Sequence, residues 1–293
     1  MTTLAPLSQW EATAHSLHKA AQIPGAIRLL VLDPVPKYLE WSLVIRPEGL
    51  STGPLPFGGE VLLDFEHCAM LYTPATGEPS AVSLLGQSQA SVLEALLASM
   101  ESQGQTLTAR ANGRMSRTDA LLAALEARGH EFTPRRADLA DEAPLKIAPR
   151  LSADYSHALY QIFTATARFR ARLNGPMTPI VVWPEHVDLS FLWFATAEAT
   201  DRFPHMNFGF APFSDDIARP YLYAYASPMP DGFERLCLPP LARWHTEGWK
   251  GVVVPYDDLV RQSDPDTVIE DIFMAVYKLL SPSLMEKTLE TAR

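Results

Sequence analysis

The chain has 293 residues, 47% of them hydrophobic and 20% charged, which is typical of a globular protein rather than a disordered one. Its net charge of −10 repels phosphate backbones and argues against a nucleic-acid partner. The longest apolar runs, such as "AIRLLVL" and "GVVVP", are too short to span a bilayer.

The N-terminal stretch "MTTLAPLSQW" has no basic and apolar signal pattern. The two cysteines, Cys68 and Cys237, lie far apart, which favours free thiols over a disulfide and excludes CxxC metal or redox chemistry. We therefore expect a soluble cytoplasmic protein with no membrane partner.

The first part of the chain predicts a helix, a run of strands and a second helix. Apolar residues at helical spacing predict a helix over 8–22, with Ser8 as its N-cap and "IPG" as its end. The pattern of Val92, Leu96 and Met100 predicts a helix over about 88–102. Short runs bounded by proline or glycine predict antiparallel strands between them, at 26–32, 39–45, 60–66, 69–73 and 81–85, with a segment through "GPLPF" at 53–57.

A connector over 104–150 follows this first part. It contains a strand-like stretch, "TLTARAN", and a capped helix over 116–128 that ends at Gly129. The stretch "TPRRADLADEAPLKIAPR" is polar and contains proline, which is typical of a linker. We expect the helix to pack beside the first half.

The second part repeats the order of the first. A long helix is predicted over 152–173, and a last helix begins with Asp264 as N-cap and Pro265 at the first helical position. A longer connecting segment over 227–248, called here the excursion, interrupts the strands. The predicted strands lie at 178–183, 187–195, 219–226 and 251–256, with a segment through "GFAPF" at 209–213.

Two pairs of similar short segments, one member of each pair in each part, link these parts. "GPLPF" and "GFAPF" are 156 residues apart, whereas "VLEALLASM" and "VIEDIFMAV" are 176 apart, and the excursion accounts for the difference. The alternative is that glycine and proline simply mark turns in both parts. We predict an α+β fold with two similar halves, each an antiparallel sheet with flanking helices, derived from an internal duplication. The expected boundaries are 1–103, 104–150 and 151–293, with the halves packed as one globular unit, sharing one sheet or forming two.

The chain resembles a known bacterial family of uncharacterised function. The segments "LSQWEATAHSLHKAAQIPGAIRLL", "GLSTGPLPFGGEVLLDFEH", "FRARLNGPMTPIVVW", "YLYAYASPMP" and "VVVPYDDLVRQSDPD" resemble, in order and spacing, the family catalogued as domain of unknown function 5996. The family usually has Ser-His-Glu where this chain has Pro204-His205-Met206. Because the family has no established activity, the resemblance transfers no mechanism, and the cofactor is unknown.

Three groups of residues could carry chemistry. Glu11, His15, His18 and Gln22 form a polar stripe on the first helix, suited to part of a metal site, to a general base, or to a solvated flank. His18 and Gln22 also match the pattern of the resembling family. In "DFEHC" (64–68), a strand would place Asp64, Glu66 and Cys68 on one face and Phe65 and His67 on the other, at a pocket edge or on a wet surface.

The third group is aromatic and lies in the second half. Trp183, Tyr223 and their neighbours could wall a small-molecule pocket or form an ordinary sheet core, and Asp188 and His205 interrupt them. A carboxylate such as that of Asp188 needs solvent or a partner in an apolar strand. The chain contains no G-x-S-x-G, H-E-x-x-H, P-loop or G-x-G-x-x-G motif.

We therefore expect a binding protein with a pocket between or within the halves. The ligand-binding candidates, with no metal among the predicted ligands, are His18, Gln22, Trp183, Asp188, His205 and Tyr223. The expected ligand is a small molecule or a partner protein, and a homo-oligomer is left open. One alternative is a hydrolase or isomerase in which His18, Asp188 and His205 converge, and another is a structural subunit of a complex.

Overall fold

The computed structural model describes residues 3–108, 115–197 and 203–291, which divide into two compact units. The N-terminal unit comprises residues 7–157 and 182–185, and the C-terminal unit comprises residues 1–6, 158–181 and 186–293. Two antiparallel sheets occupy separate halves of the described chain. This arrangement confirms the predicted α+β class and the division into two halves.

The first half is a strand meander with helices before and after it. Each strand pairs with the next along the chain, so that the order in the sheet is the order in the sequence. The elements are α1 (Glu11–Val31), β1 (Val44–Arg46), β2 (Gly49–Ser51), β3 (Glu60–Asp64), β4 (Ala69–Thr73), β5 (Ser80–Ser83), α2 (Gln89–Ser102), α3 (Arg117–Arg128) and α4 (Arg136–Leu139).

Helix α1 corrects the prediction of a strand at 26–32. The helix continues through Pro24, although a proline inside a helix costs about 3 kcal/mol. Burial offsets this cost, because Ile23, Ala26 and Ile27 are completely buried along the continued helix. The apolar run that suggested a strand is therefore the buried side of a longer helix.

The connector contains both confirmed and corrected predictions. The helix predicted over 116–128 is confirmed as α3, capped by the Ser116 side chain and ended by Gly129 in the left-handed conformation. The strand predicted at 106–112 lies partly outside the described residues, and its described part carries no strand. The polar stretch after α3 is packed rather than extended, because it contains α4 and buries Leu139 and Leu145.

Along the chain, the second half consists of a long helix, the strands of one sheet and a further long helix. Its strand order is β10-β11-β9-β8-β7-β6 in space. The elements are α5 (Pro149–Arg170), β6 (Val181–Trp183), β7 (Asp188–Phe194), β8 (His205–Ala211), β9 (Tyr221–Ser227), β10 (Arg243–His245), β11 (Gly251–Pro255), α6 (Tyr256–Leu259) and α7 (Pro265–Thr291).

The two faces of this sheet differ in chemistry. On one face, Phe208 of β8 packs against Phe169 of α5 and Phe273 of α7, with ring centroids 4.9 Å and 5.4 Å apart respectively. Residues alternate between the faces along each strand. The tyrosines of β9 therefore point to the face opposite this helix-covered core. The aromatic group predicted from the sequence is divided between a core and a second, polar and aromatic face.

The two sheets share a four-strand order. The "GPLPF" segment joins β2 to β3, and "GFAPF" begins in β8 and leads to β9. Aligned on these segments, the series β1-β2-β3-β4 corresponds to β7-β8-β9-β11. The next position in the sheet is taken by β5 in one half and by β10, from the excursion, in the other. This correspondence is consistent with duplication, which stays a prediction.

Candidate functional site

Each unit contains a cleft that includes residues singled out from the sequence. The N-terminal cleft has a volume of about 550 Å³ and includes His18 and Gln22 of α1. The C-terminal cleft, called here the aromatic cleft, has a volume of about 330 Å³ and includes Asp188 and Tyr223. The predicted site residues thus fall into two separate groups, one in each unit.

The N-terminal cleft is polar, and its predicted residues hold the backbone of residues 184–185. The His18 Nε2 atom is hydrogen-bonded to the carbonyl oxygen of Glu185, and Gln22 Nε2 donates to the carbonyl oxygen of Pro184. Gly25 allows this close approach, because a Cβ atom there would lie 2.6 Å from Cγ of Pro184. His18 and Gln22 therefore have a structural role in joining α1 to this segment.

Charged side chains around the N-terminal cleft are also engaged. Arg135 forms an ion pair with Asp138 at 3.1 Å, and Lys19 pairs with Asp141. The Glu131 carboxylate accepts a hydrogen bond of 2.8 Å from the Tyr38 hydroxyl. The cleft offers a ligand few polar groups that are not already used by the protein.

The aromatic cleft lies on the sheet face opposite the helices. It is formed where the segments 212–220 and 246–250 flank strands β7, β8 and β9. Its lining is mostly aromatic, with one carboxylate and one amide: His186, Asp188, Asn207, Ala211, Phe213, Ser214, Tyr221, Tyr223, Tyr225 and Trp249.

Tyr223 lies across the neighbouring strand and reaches Asp188. It can do so because Gly209, its partner on β8, has no side chain. A Cβ atom at Gly209 would lie 2.4 Å from Cζ and 2.5 Å from Oη of Tyr223. The Tyr223 hydroxyl donates a hydrogen bond to the Asp188 carboxylate. Asp188 therefore has the partner that a carboxylate needs in an apolar strand.

A second glycine accommodates the Trp249 ring. A Cβ atom at Gly251 would lie 2.4 Å from Cζ3 of Trp249. The Trp249 ring stands nearly perpendicular to Tyr223 and Tyr225, at 75° and 65°, with centroids 6.2 Å and 6.3 Å away. Tyr223 and Tyr225 are themselves nearly parallel, at 10°. The three rings form an aromatic corner.

Asn207 supplies an amide to the same cleft. It is 8% exposed, and its Nδ2 atom donates a hydrogen bond of 3.0 Å to the Tyr225 hydroxyl. Its Oδ1 atom is buried and has no hydrogen-bond partner among the residues that the structure describes. A buried acceptor without a partner costs about 1–3 kcal/mol, which a donor entering the cleft would offset.

Tyr221 and Tyr223 of the cleft are protonated at neutral pH. Burial raises the pKa of Tyr223 well above 10.0, and the negative charge of Asp188 raises it further. Burial also raises the pKa of Tyr221, with smaller contributions in the same direction from Asp188 and Asp216 and an opposing one from Ser214. These side chains act as neutral aromatic rings with hydroxyl groups, not as bases.

Two predicted residues line neither cleft. The His205 side chain is 8% exposed, and its Nδ1 atom is hydrogen-bonded at 2.9 Å to the carbonyl oxygen of Phe203. Trp183 ends β6 and is partly buried. The structure thus brings Asp188 and Tyr223 together, places His18 and Gln22 in the other unit, and leaves His205 and Trp183 outside both linings.

The predicted strand through "DFEHC" is wrong beyond its first residue. Strand β3 ends at Asp64, and a turn follows. In this turn the Asp64 carboxylate accepts hydrogen bonds from the backbone N–H and from Nδ1 of His67, at 2.8 Å and 2.9 Å. Asp64 and His67 therefore meet within one turn instead of pointing to opposite faces.

Residues 3–108, 115–197 and 203–291 contain neither a cluster of metal ligands nor a membrane-spanning helix. No group of three or more histidine, cysteine or acidic side chains there could hold a metal ion. Within the same ranges, every helix is too short or too polar to cross a bilayer.

Several cleft residues were not predicted. Asn207, Gly209 and Trp249 were missed, although "HMNFGFA" and "YLYAYAS" do alternate in a way that shows which residues share a face. The position of Trp249 just before a strand that begins with Gly251 was a weaker signal. Which of the two faces is covered by helices could not be read from either strand alone.

The fold and cleft define an α+β protein with two antiparallel sheets and an aromatic cleft on one of them. The sequence model of the family of unknown function (DUF5996) matches residues 3–283, so the chain belongs to that family. The resemblance found in the sequence is therefore confirmed. No curated protein and no solved structure matched the chain.

Proposed function

We propose that the chain is a cytosolic protein that binds a small organic molecule in its aromatic cleft. The observation that carries the proposal is the buried Oδ1 atom of Asn207, which lacks a hydrogen-bond partner among the described residues in a cleft walled by aromatic rings. Apolar walls with a few placed polar groups are typical of small-molecule sites. The cytosolic assignment is supported by Cys68 and Cys237, which are both free thiols.

An enzyme remains the alternative class. It was expected to use His18, Asp188 and His205 as acid and base, but only Asp188 lines the aromatic cleft. Asp188 accepts a hydrogen bond from Tyr223, whose raised pKa keeps the hydroxyl protonated at neutral pH, so that no phenolate is available to act as a general base. A binding function therefore explains the arrangement of the cleft residues without requiring an acid or a base that the cleft lacks among the expected residues.

The test is a thermal-shift screen against a metabolite library, followed by two tryptophan variants. A ligand that binds the native state raises the melting temperature in a dose-dependent way. Trp249→Ala removes one wall of the cleft. Trp244→Ala is the matched control, because Trp244 lies in the same unit, packs on Phe233 at 5.0 Å and does not line the cleft.

We expect the shift to be lost in Trp249→Ala and kept in Trp244→Ala. A shift that persists in Trp249→Ala would place the ligand elsewhere. The absence of any shift across the library would count against a small-molecule site and favour a protein partner.

A further inference from the structure

We infer that the aromatic cleft recognises the positively charged group of a small organic ammonium compound. This inference rests on the proposed function and specifies its ligand class.

The polar atoms of the cleft favour positive charge. Asp188 contributes a carboxylate. The amide oxygen of Asn207, which has no hydrogen-bond partner among the described residues, is a further acceptor. None of the described side chains that line the cleft is a lysine or an arginine. A carboxylate and an amide oxygen attract an N–H donor that carries positive charge, and the carboxylate repels an anion.

The aromatic corner favours the same kind of ligand. Tyr223 and Tyr225 are nearly parallel, with centroids 6.4 Å apart, and Trp249 stands across both of them. Rings set at an angle to one another can direct several π faces toward a single group. A cation within about 6 Å of such a face is attracted by the negative charge of the ring face, and more strongly when the cation is desolvated.

The charge state of the tyrosines supports this preference. Burial raises the pKa values of Tyr221 and Tyr223, so both rings keep their protons at neutral pH. Burial is the main cause of the raised pKa of Tyr221, and the negative charges of Asp188 and Asp216 raise that pKa further. A cation would meet neutral rings within a negative field.

The size of the cleft limits the ligand. Its volume of about 330 Å³ is near the lower end of the range for small-molecule sites, about 300–1,000 Å³. A single alkyl or aryl group with one ammonium suits this volume. A free amine and a lysine side chain of a partner share this chemistry, and the experiment must separate them.

The experiment uses the full chain and probes of similar size whose head groups are positively charged, neutral or negatively charged. Calorimetric titration at pH 8, above the range in which histidines ordinarily titrate, compares butylammonium and benzylammonium with the corresponding alcohols and with pentanoate and phenylacetate. We expect each ammonium to bind about tenfold or more tightly than its alcohol, and the carboxylates not to bind. Nα-acetyl-lysinamide represents the lysine side chain, and we expect it to bind more weakly because its blocked backbone adds bulk.

Two charge variants test the source of the preference. Asp188→Asn keeps an oxygen that can accept from Tyr223, and we expect it to lower ammonium affinity about tenfold without changing alcohol affinity. Asp216→Asn is the second variant, because Asp216 is exposed and its replacement should not affect folding. We expect it to cause a smaller loss, about two- to threefold, that disappears at high salt.

The outcomes separate this inference from the proposed function. Alcohols or carboxylates that bind as tightly as the ammonium probes, and lose binding in Trp249→Ala, would overturn the cation inference and leave a small-molecule site. If no probe of any charge binds, the cation inference is overturned, and the metabolite screen decides the proposed function separately. Lysinamide binding equal to that of butylammonium would support the cation and assign its source to a protein side chain.

Discussion

The two clefts differ in what their polar groups do, and volume is a poor guide to that difference. The N-terminal cleft is the larger, yet His18 and Gln22 bind backbone carbonyls and its charged side chains form pairs within the same unit. The aromatic cleft is smaller, but Asn207 keeps a buried oxygen without a partner in the described chain. A site for a ligand is better recognised by unmet hydrogen-bonding capacity than by empty space.

The clefts also differ in how the backbone makes room for them. At the N-terminal cleft, Gly25 lets Pro184 pack against α1, so the missing side chain serves internal packing. At the aromatic cleft, Gly209 and Gly251 make room for Tyr223 and Trp249, whose rings line the open surface of a sheet. Glycine therefore permits tight internal packing at the N-terminal cleft and makes room for the lining side chains at the aromatic cleft.

The largest expected effect is that of Gly209→Ala. Its Cβ atom would lie 2.4 Å from the carbonyl oxygen of Leu189 and 2.4 Å from Cζ of Tyr223, so both backbone and ring must move. We expect a loss of about 3 kcal/mol in the free energy of unfolding, measured by urea denaturation, together with loss of ligand binding.

Gly232→Ala is the control for that change. Gly232 has a positive φ of 69°, but no heavy atom of the described residues lies within 4 Å of the added Cβ. We therefore expect a loss of about 1–2 kcal/mol from backbone strain alone. Equal losses in the two variants would mean that Tyr223 does not depend on the space at Gly209.

An intermediate effect is expected for Gln22→Ala in the N-terminal cleft. The change leaves the carbonyl oxygen of Pro184 without this donor, and we expect it to cost about 1–2 kcal/mol. Gln87→Ala, at an exposed position of the same unit, is the control and should stay within about 0.5 kcal/mol of the parent protein. Ligand affinity should be unchanged in both variants. A loss of affinity in Gln22→Ala alone would contradict the structural role given to this cleft.

Local sequence patterns predicted most elements because their causes are local. The alternation in β8 and β9, the N-cap Ser116 and the left-handed Gly129 each depend on residues only a few positions apart. The "IPG" stretch misled the prediction of α1 because proline and glycine ordinarily end helices, whereas here long-range burial outweighs their local preference.

The candidate site was only half predictable. Asp188 and Tyr223 could be identified as polar and aromatic members of apolar strands, but their hydrogen bond spans β7 to β9. It depends on the register that places Gly209 beside Tyr223, and register is a property of the folded sheet. His18 is a polar helix residue with a role in the other unit, and helical spacing alone could not distinguish that role from a ligand site.

A smaller effect is expected at acid pH from Glu94 of α2. Burial raises the pKa of this carboxyl, but hydrogen bonds from Arg117 and Thr118 at the start of α3 outweigh burial and hold it below its ordinary value of 4.5. Its stabilising contribution is therefore present above the unfolded-state pKa and is lost as pH falls through the folded-state pKa. We expect Glu94→Gln to lower stability by up to about 1 kcal/mol at pH 7 and by less near pH 3.

The control for this pH dependence is Glu126→Gln, at an exposed position of α3. Urea denaturation at both pH values should show little difference between this variant and the parent protein. If the effect of Glu94→Gln is the same at pH 3 as at pH 7, the hydrogen bonds to α3 do not depend on ionised Glu94.

The smallest expected effect concerns the pair of Asp64 and His67, which has the residue types of a catalytic dyad but lies in a turn of the N-terminal unit. The hydrogen bond and the charge of Asp64 raise the pKa of the exposed His67 above 6.5. The pair therefore stabilises the fold below the unfolded-state pKa, and this contribution is lost as pH rises through the folded-state pKa. An NMR titration should show the raised pKa, and Asp64→Asn should lower it. Because the aromatic cleft lies in the other unit, His67→Ala should leave ligand affinity unchanged. A loss of binding in this variant would mean that the ligand site does not lie in the aromatic cleft.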